Sequence, residues 1–370
     1  MIQLKTKGEA ININNIIIAK VISNRMDSAK ICFSPAISEN VILSVAKSID
    51  INATSKVVYR ISSLSYLNLG DILLINPNGI IYTLFREKSN HNSLFITDRC
   101  NSNCLMCSQP PKNKDDLDYY FEINSQLIKM IPSSTPVLGI TGGEPLLLGE
   151  RFITLLLLIT KYLPKTQVHV LTNGRQFAWK NIPCAINQVN NDNIIFGIPL
   201  YSSYFREHDY IVQAENAFYQ TVIGFHNMAS YGLRLELRIV LHKQTYLGLP
   251  KLANYIYKNL PFVEHVAFMG LEYTGYTPFN NDLLWVEPRE YLTQLEEAVL
   301  YLDQMDISVS IYNLQLCLLK PTLWKFTRNS ISDWKKEYLE ECSSCTLLQE
   351  CGGVFATSKK HSKDIKAIMT

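Results

Sequence analysis

Cys100-Asn101-Ser102-Asn103-Cys104-Leu105-Met106-Cys107 places three thiols within eight residues, with three and then two residues between them. The short apolar stretch 94–97 precedes it. Downstream, the apolar run Val137-Leu138-Gly139-Ile140-Thr141 ends at Gly142-Gly143-Glu144-Pro145. A three-cysteine loop can hold three irons of a four-iron cluster and leave the fourth open to a small molecule. That open iron separates a catalytic cluster from one that only carries electrons. Zinc is the ordinary alternative, but it wants a fourth Cys or His, and none lies close after Cys107. Gly-Gly-Glu-Pro alone could be a simple turn.

From about residue 91 the pattern alternates. Strand candidates are 94–97, 137–141, 168–172, 194–200, 233–241 and 265–269. Helical stretches fall between them, at 121–131, 150–163, 212–230 and 247–259. A further helix at about 289–304 sets Leu292, Leu295, Val299 and Leu302 on one face. Strand–helix alternation predicts an α/β fold with a parallel sheet and right-handed crossovers. Ligands of such barrels sit at the carboxyl ends of the strands. Cys100, Gly142 and Asn173-Gly174 follow the first, second and third strands, so all three are expected on one rim.

The first 90 residues look different. They hold no cysteine cluster and are β-rich, with the run Val57-Val58-Tyr59-Arg60-Ile61. Ile72-Leu73-Leu74-Ile75, Asn76-Pro77-Asn78-Gly79 and Ile80-Ile81-Tyr82 predict a hairpin around an Asn-Gly turn. The expected division is a β-rich domain at 1–90, a barrel at 91–305 and a cluster-binding extension at 306–370.

Composition narrows the class. The 370 residues are 47% hydrophobic and 18% charged, enough for a large core. A net charge of +2 gives no electrostatic footprint for nucleic acid. The start, Met1-Ile2-Gln3-Leu4-Lys5, lacks an apolar signal segment, and the greasiest stretch, 155–159, is too short to span a bilayer. A cytoplasmic protein is expected, with no membrane partner. Nine cysteines there point to metal or redox use rather than disulfides.

Four of them lie near the carboxyl end. Cys342-Ser343-Ser344-Cys345 and Cys351-Gly352-Gly353 form C-x2-C-x5-C, and Cys317 follows an apolar strand expected at 307–312. Four thiols suit a cubane cluster or a tetrahedral metal such as zinc. If Cys317 ligates, the cluster is closed and only carries electrons; if not, one iron is open to substrate. Closure is expected, because Cys317 has no other evident purpose. Ser330-Ile331-Ser332-Asp333-Trp334 offers caps for a short helix ending near Cys342. Cys32 and Cys184 lack neighbours at ligand spacing and are expected to be buried thiols.

The cysteine spacing and Gly-Gly-Glu-Pro together resemble the motifs of the radical S-adenosylmethionine (SAM) enzymes. The resemblance implies that Cys100, Cys104 and Cys107 ligate a [4Fe-4S] cluster. It implies that SAM chelates the open iron, with Gly142, Gly143 and Glu144 as contacts, and that the six strand–helix repeats form a partial (β/α)6 barrel. One departure is Met106, where an aromatic residue is usual; methionine could still cover the adenine side. Further implied SAM contacts are Asn173, Ser202 and Arg238. Each has an ordinary alternative: a turn, a cap and an alternating strand charge. His208-Asp209 could meet substrate or simply start a surface helix. The carboxyl-end thiols resemble the auxiliary-cluster extensions of the SPASM and twitch type. The longer pattern would place another cysteine where Phe355 stands, so one auxiliary [4Fe-4S] cluster is implied.

More specific strings are 100–111 (Cys100 to Pro111), Tyr312-Asn313-Leu314-Gln315-Leu316-Cys317, Ser330 to Lys335, and Cys351-Gly352-Gly353. They resemble the HxsC type of radical SAM maturase of the His-Xaa-Ser peptide-modification system, over about 70–355. The Met106 variation fits this type better than the superfamily at large. The resemblance implies a ribosomally made precursor peptide with His-Xaa-Ser repeats as substrate, modified by crosslinking. It also implies an HxsB-like second radical SAM maturase as partner and an external one-electron reductant. The alternatives are another substrate (epimerase, cofactor biosynthesis or glycyl-radical activase) or a non-catalytic iron–sulfur partner of a sister maturase.

Overall fold

The computed structural model describes residues 4–25, 28–48 and 54–369. Met1, Ile2 and Gln3, part of the start read for a signal segment, lie outside them. Two eight-stranded sheets dominate.

The first sheet contains β1 (Lys5–Lys7), β2 (Glu9–Ile11), β3 (Ile17–Arg25), β4 (Ala29–Ser34), β5 (Glu39–Ser44), β6 (Lys56–Tyr59), β7 (Ile72–Ile75) and β8 (Ile80–Phe85). Its order is β1-β8-β7-β3-β4-β5-β6-β2. The two end strands are separated in the chain by Gly8 alone, so one bent segment pairs with β8 on one side and β6 on the other. This closes the sheet into a small barrel and removes its free edges. A Cβ on Gly8 would lie 2.3 Å from the Tyr59 carbonyl oxygen, so the crossing requires glycine. The Asn-Gly hairpin forms as expected: the Gly79 N–H donates to the Asn76 carbonyl at 3.0 Å, and β7 pairs antiparallel with β8.

Alternation along these strands fills the barrel. Val21, Cys32, Leu43, Val58, Leu73 and Ile81 share one buried cluster. Burial pushes the Cys32 thiol up to about 12, as expected for an inert core cysteine. Cys184, expected to be buried too, is only half-buried. On the outer face, Ile18, Ile72, Leu74 and Phe85 join the larger core of the second sheet.

That second sheet runs β9 (Ser93–Phe95), β10 (Val137–Thr141), β11 (Gln167–Leu171), β12 (Ile194–Pro199), β13 (Arg234–Leu241), β14 (His265–Gly270), β15 (Ser308–Tyr312) and β16 (Thr327–Arg328). All neighbours are parallel and in chain order. The helices are α1 (Leu117–Met130), α2 (Glu150–Tyr162), α3 (Asn181–Asn187), α4 (Phe205–Val212), α5 (Ala217–Ser230), α6 (Leu249–Asn259), α7 (Asn281–Leu284) and α8 (Pro288–Gln304). An order without reversal, built by right-handed crossovers, puts the major helices on one face and curls the sheet around the other. Among the described residues no helix is long and apolar enough to cross a membrane.

Three expectations need correction. The parallel sheet has eight strands where six were expected: the strand expected at 307–312, outside the barrel, joins it as β15, and β16 follows. β15 and β16 join because Val309 and Ile311 point into the helix-side core, as the preceding strands do. The single helix expected at 212–230 is two helices, because Gln213 and Asn216 take left-handed backbone (φ 53° and 58°) and turn the chain. The short helix expected before Cys342 is reduced to one turn, Glu340–Cys342. Ahead of it, β17 (Lys336–Glu337) pairs with β18 (Val354–Phe355). Asp333 does not cap that segment. It accepts from Arg86 Nη1 at 3.0 and 2.9 Å and from Ser89 Oγ at 3.0 Å. Residues just before β9 and just after β16 therefore meet, and side chains bridge the seam where strand pairing stops.

Candidate active site

The Cys100–Cys107 loop leaves the carboxyl end of β9, and four other connections grip its backbone. After β10, the Gly143 N–H donates to the Thr97 carbonyl at 2.7 Å and the Glu144 N–H to the Arg99 carbonyl at 2.8 Å. A Cβ on Gly143 would lie 1.9 Å from the Arg99 carbonyl oxygen, so no other residue allows this approach. After β11, Asn173 Nδ2 donates to Asn101 Oδ1 at 2.6 Å and stands 3.9 Å from Cys100 Sγ. Arg175 holds the Asn101 carbonyl, donates to Ser102 Oγ at 3.1 Å, and is itself fixed by Gln220 at 2.7 Å. The last carbonyls of α4, on Ile211 and Val212, accept from the Leu105 and Asn103 N–H groups at 2.9 and 3.0 Å. After β14, the Tyr276 N–H donates to the Cys107 carbonyl at 2.9 Å, and Asn280 Nδ2 donates to the Leu105 carbonyl at 2.8 Å.

The expected SAM contacts divide into two groups. Gly143 and Asn173 lie against the cysteine loop, and Gly142 lies against Ile96 and Thr97 just ahead of it. Glu144 is fully buried with its carboxylate occupied: Oε1 accepts from the Leu146 N–H at 3.0 Å and Thr172 Oγ1 at 2.6 Å, and Oε2 accepts from the Asn173 N–H at 2.7 Å. It braces the β10 connection against the β11 connection. Burial raises its pKa, opposed by these three donors. Ser202 is also occupied, donating to Glu207 at 2.6 Å and accepting from the Tyr204 N–H at 3.0 Å ahead of α4. Arg238 lies in the barrel interior, against the Met269 sulfur at 3.1 and 3.3 Å and 3.6 Å from Glu236. Met106 packs into a buried cluster with Leu105, Tyr201 and Leu284 instead of offering an open face. His208 is buried within α4 and accepts the Tyr201 N–H at 3.2 Å, and Asp209 accepts the Phe218 N–H at 2.7 Å. Both are structural in this conformation.

Burial pushes the Cys100 thiol up to about 11, with Glu144 adding to it, and raises Cys104 and Cys107 as well. Such thiols ionise only against a compensating positive centre. An all-sulfur donor set on a partly buried loop fits an iron–sulfur cluster on that ground. Among the described residues no three His, Cys, Asp or Glu side chains converge as ligands of one metal ion. A cluster makes no such demand, since each thiolate holds its own iron and the thiols need only ring a common space.

The carboxyl-end thiols have such a space. Cys317, Cys342, Cys345 and Cys351 line one small pocket together with Tyr338 and Ile368. Burial raises the Cys317 and Cys342 thiols, and neighbouring thiols of the set raise them further. The Ile368 N–H points at Cys345 Sγ at 3.5 Å, while Tyr338 donates to the Leu348 and Cys351 carbonyls at 2.9 and 3.1 Å.

Some of this was missed in the sequence. Arg175 and Asn280 grip the cysteine loop; Arg175 directly follows the singled-out Asn173-Gly174, which was the available signal. The polar residues inside the barrel, His169, Glu236, His265 and Ser310, also went unremarked. Their signal was alternation within strands, as in Arg234-Leu235-Glu236-Leu237-Arg238.

No family model matches the chain, and no curated protein matches it by sequence. Similar solved structures include SuiB of Streptococcus suis bound to S-adenosylmethionine, at 14% identity and TM-score 0.47, covering 60% of this chain and 50% of that one. Another is anSMEcpe with bound AdoMet, at 17% and 0.45, covering 59% and 63%. A third is coproporphyrinogen III oxidase (HemN) from Escherichia coli, titled a radical SAM enzyme, at 12% and 0.45, covering 58% and 52%. The chain thus spans half to somewhat under two-thirds of these proteins. Scores this low leave the site itself as the ground for a functional reading.

Proposed function

We propose that this chain is a radical SAM enzyme that modifies, by crosslinking, a ribosomally made precursor peptide with His-Xaa-Ser repeats. The observation that carries the catalytic half is the grip of four other connections on one three-cysteine loop at the carboxyl ends of parallel strands. The peptide half is supported by the strings at 100–111, 312–317, 330–335 and 351–353. Cys100, Cys104 and Cys107 would hold a [4Fe-4S] cluster, with Gly142, Gly143, Asn173 and Arg238 toward SAM. Such a group, when bound, supplies reductive cleavage of the SAM sulfur–carbon bond and a carbon-centred radical able to take a hydrogen atom.

The chain's own residues do the positioning. Arg175, Asn280 and the end of α4 fix the loop from three directions, so ligand geometry is set before a ligand arrives. Glu144 ties two rim connections together. Cys317, Cys342, Cys345 and Cys351 would hold an auxiliary [4Fe-4S] cluster, with four thiols for four irons. The reading includes an external one-electron reductant, a second maturase as partner and a cytoplasmic setting.

Iron and sulfide content after anaerobic reconstitution tests the two-cluster part. Wild type should hold about eight irons, and a triple alanine variant at Cys342, Cys345 and Cys351 about four, at four per cubane. About four in both would reduce the carboxyl-end thiols to a zinc or structural site.

A further inference from the structure

The chain from Thr357 to Ile368 forms neither helix nor strand, yet it is tied down along its length. At the barrel rim the Tyr273 N–H donates to Ser358 Oγ at 3.1 Å, and Lys360 Nζ donates to Asn281 Oδ1 at 2.9 Å. Ser362 Oγ donates to the Glu287 carboxylate at 2.7 Å. Ile365 is then buried with Leu318 and Val354, against Cys317 and Cys342. Lys366 and Ile368 line the pocket that the four carboxyl-end thiols share.

Ile368 is paired in both directions with the chain around Cys345. Its carbonyl accepts from the Thr346 N–H at 2.9 Å and from Thr346 Oγ1 at 3.0 Å. Its own N–H donates to Cys345 Sγ at 3.5 Å. A backbone amide held this way cannot swing aside as a side-chain donor can.

The chemistry of that contact follows from charge. A thiolate bound to iron gains negative charge when its cluster gains an electron. A donor aimed at the sulfur therefore favours the reduced state over the oxidised one. We infer that Ile368 is a positioning residue of the carboxyl-end site, whose backbone N–H binds the Cys345 thiolate and raises the reduction potential of the cluster held there. The inference rests on the auxiliary-cluster part of the proposed function. The side chain of Ile368 has no part in it, so the effect belongs to the amide alone.

The test uses the full chain carrying Cys100→Ala, Cys104→Ala and Cys107→Ala, so that iron enters only at the carboxyl-end thiols. A redox titration followed by electron paramagnetic resonance compares two further changes. Ile368→Pro removes the N–H and should lower the reduced-to-oxidised ratio at a fixed potential about tenfold. For one electron that is a shift of about 59 mV to lower potential. Ile368→Ala keeps the N–H and should titrate like its parent. Equal shifts in both variants, or none in Ile368→Pro, would overturn the inference. A second readout needs no change at Ile368. With 113Cd in place of iron, the Ile368 amide proton should show scalar coupling to the metal through Cys345 Sγ. A cadmium-loaded site without that coupling would also overturn the inference. Absence of iron from the site, with cadmium bound and coupled, would instead refute the auxiliary-cluster reading and leave the N–H···S contact standing.

Discussion

The two eight-stranded sheets use alternation in opposite ways. In the first barrel the apolar residues of each strand face inward, and Val21, Leu43 and Ile81 fill the interior. In the second, Leu235, Leu237, Ile239 and Phe268 face outward under the helices. The inward positions then go to Glu236, Arg238, His265 and Ser310. A sheet needs one apolar face to fold, and it can choose which. The first barrel spends its interior on stability. The second takes its stability from the helix layer, which frees the interior for chemistry.

The comparison can be broken on its outer face. Phe268→Ala, fully buried under the helices, should cost about 3–5 kcal/mol and lower the denaturation midpoint of the parallel sheet. Leu43→Ala should cost about 2–5 kcal/mol in the first barrel. Because that cavity lies in the other sheet, iron content of the folded protein should stay at the wild-type level; joint loss of iron would show that the two sheets act as one unit.

Acid sharpens the contrast. Burial holds His208 and His242 down to about 3; His208 stacks on Tyr201 behind the cysteine loop, and His242 lies tilted against the same ring. Unfolded histidines protonate near 6.5, so folding here is unpenalised above that value and loses stability as pH falls from about 6.5 toward about 3. The slope should approach about 1.4 kcal/mol per pH unit for each histidine. Urea midpoints measured across that window should fall, and His242→Phe should remove about half of the slope. A flat profile would contradict the buried, neutral state. The smallest effect is at the seam. Asp333→Asn weakens the contact with Arg86, which is partly exposed, and should cost roughly 0.5–1 kcal/mol in denaturant titrations.

The sequence made the parallel strands legible because long apolar runs alternate with helical periods; β10 and β12 begin at the expected residues, 137 and 194. It made the thiols legible because their spacing is local. The closure of the first barrel was not legible, since it depends on Gly8 meeting Tyr59 from 51 residues away. Nor was the occupied state of Glu144 and Ser202, whose partners are set by tertiary packing. The inner polar file was visible as alternating charge, but only the strand register brings Glu236, His265 and Ser310 together.

The most direct test of the central claim is 5′-deoxyadenosine formation by the anaerobically reconstituted chain with SAM and dithionite, beside Cys100→Ala. The cysteine loop as a SAM-cleaving centre predicts product from wild type and none from the variant. Product persisting in Cys100→Ala, or none from a wild type carrying its full iron, would contradict it.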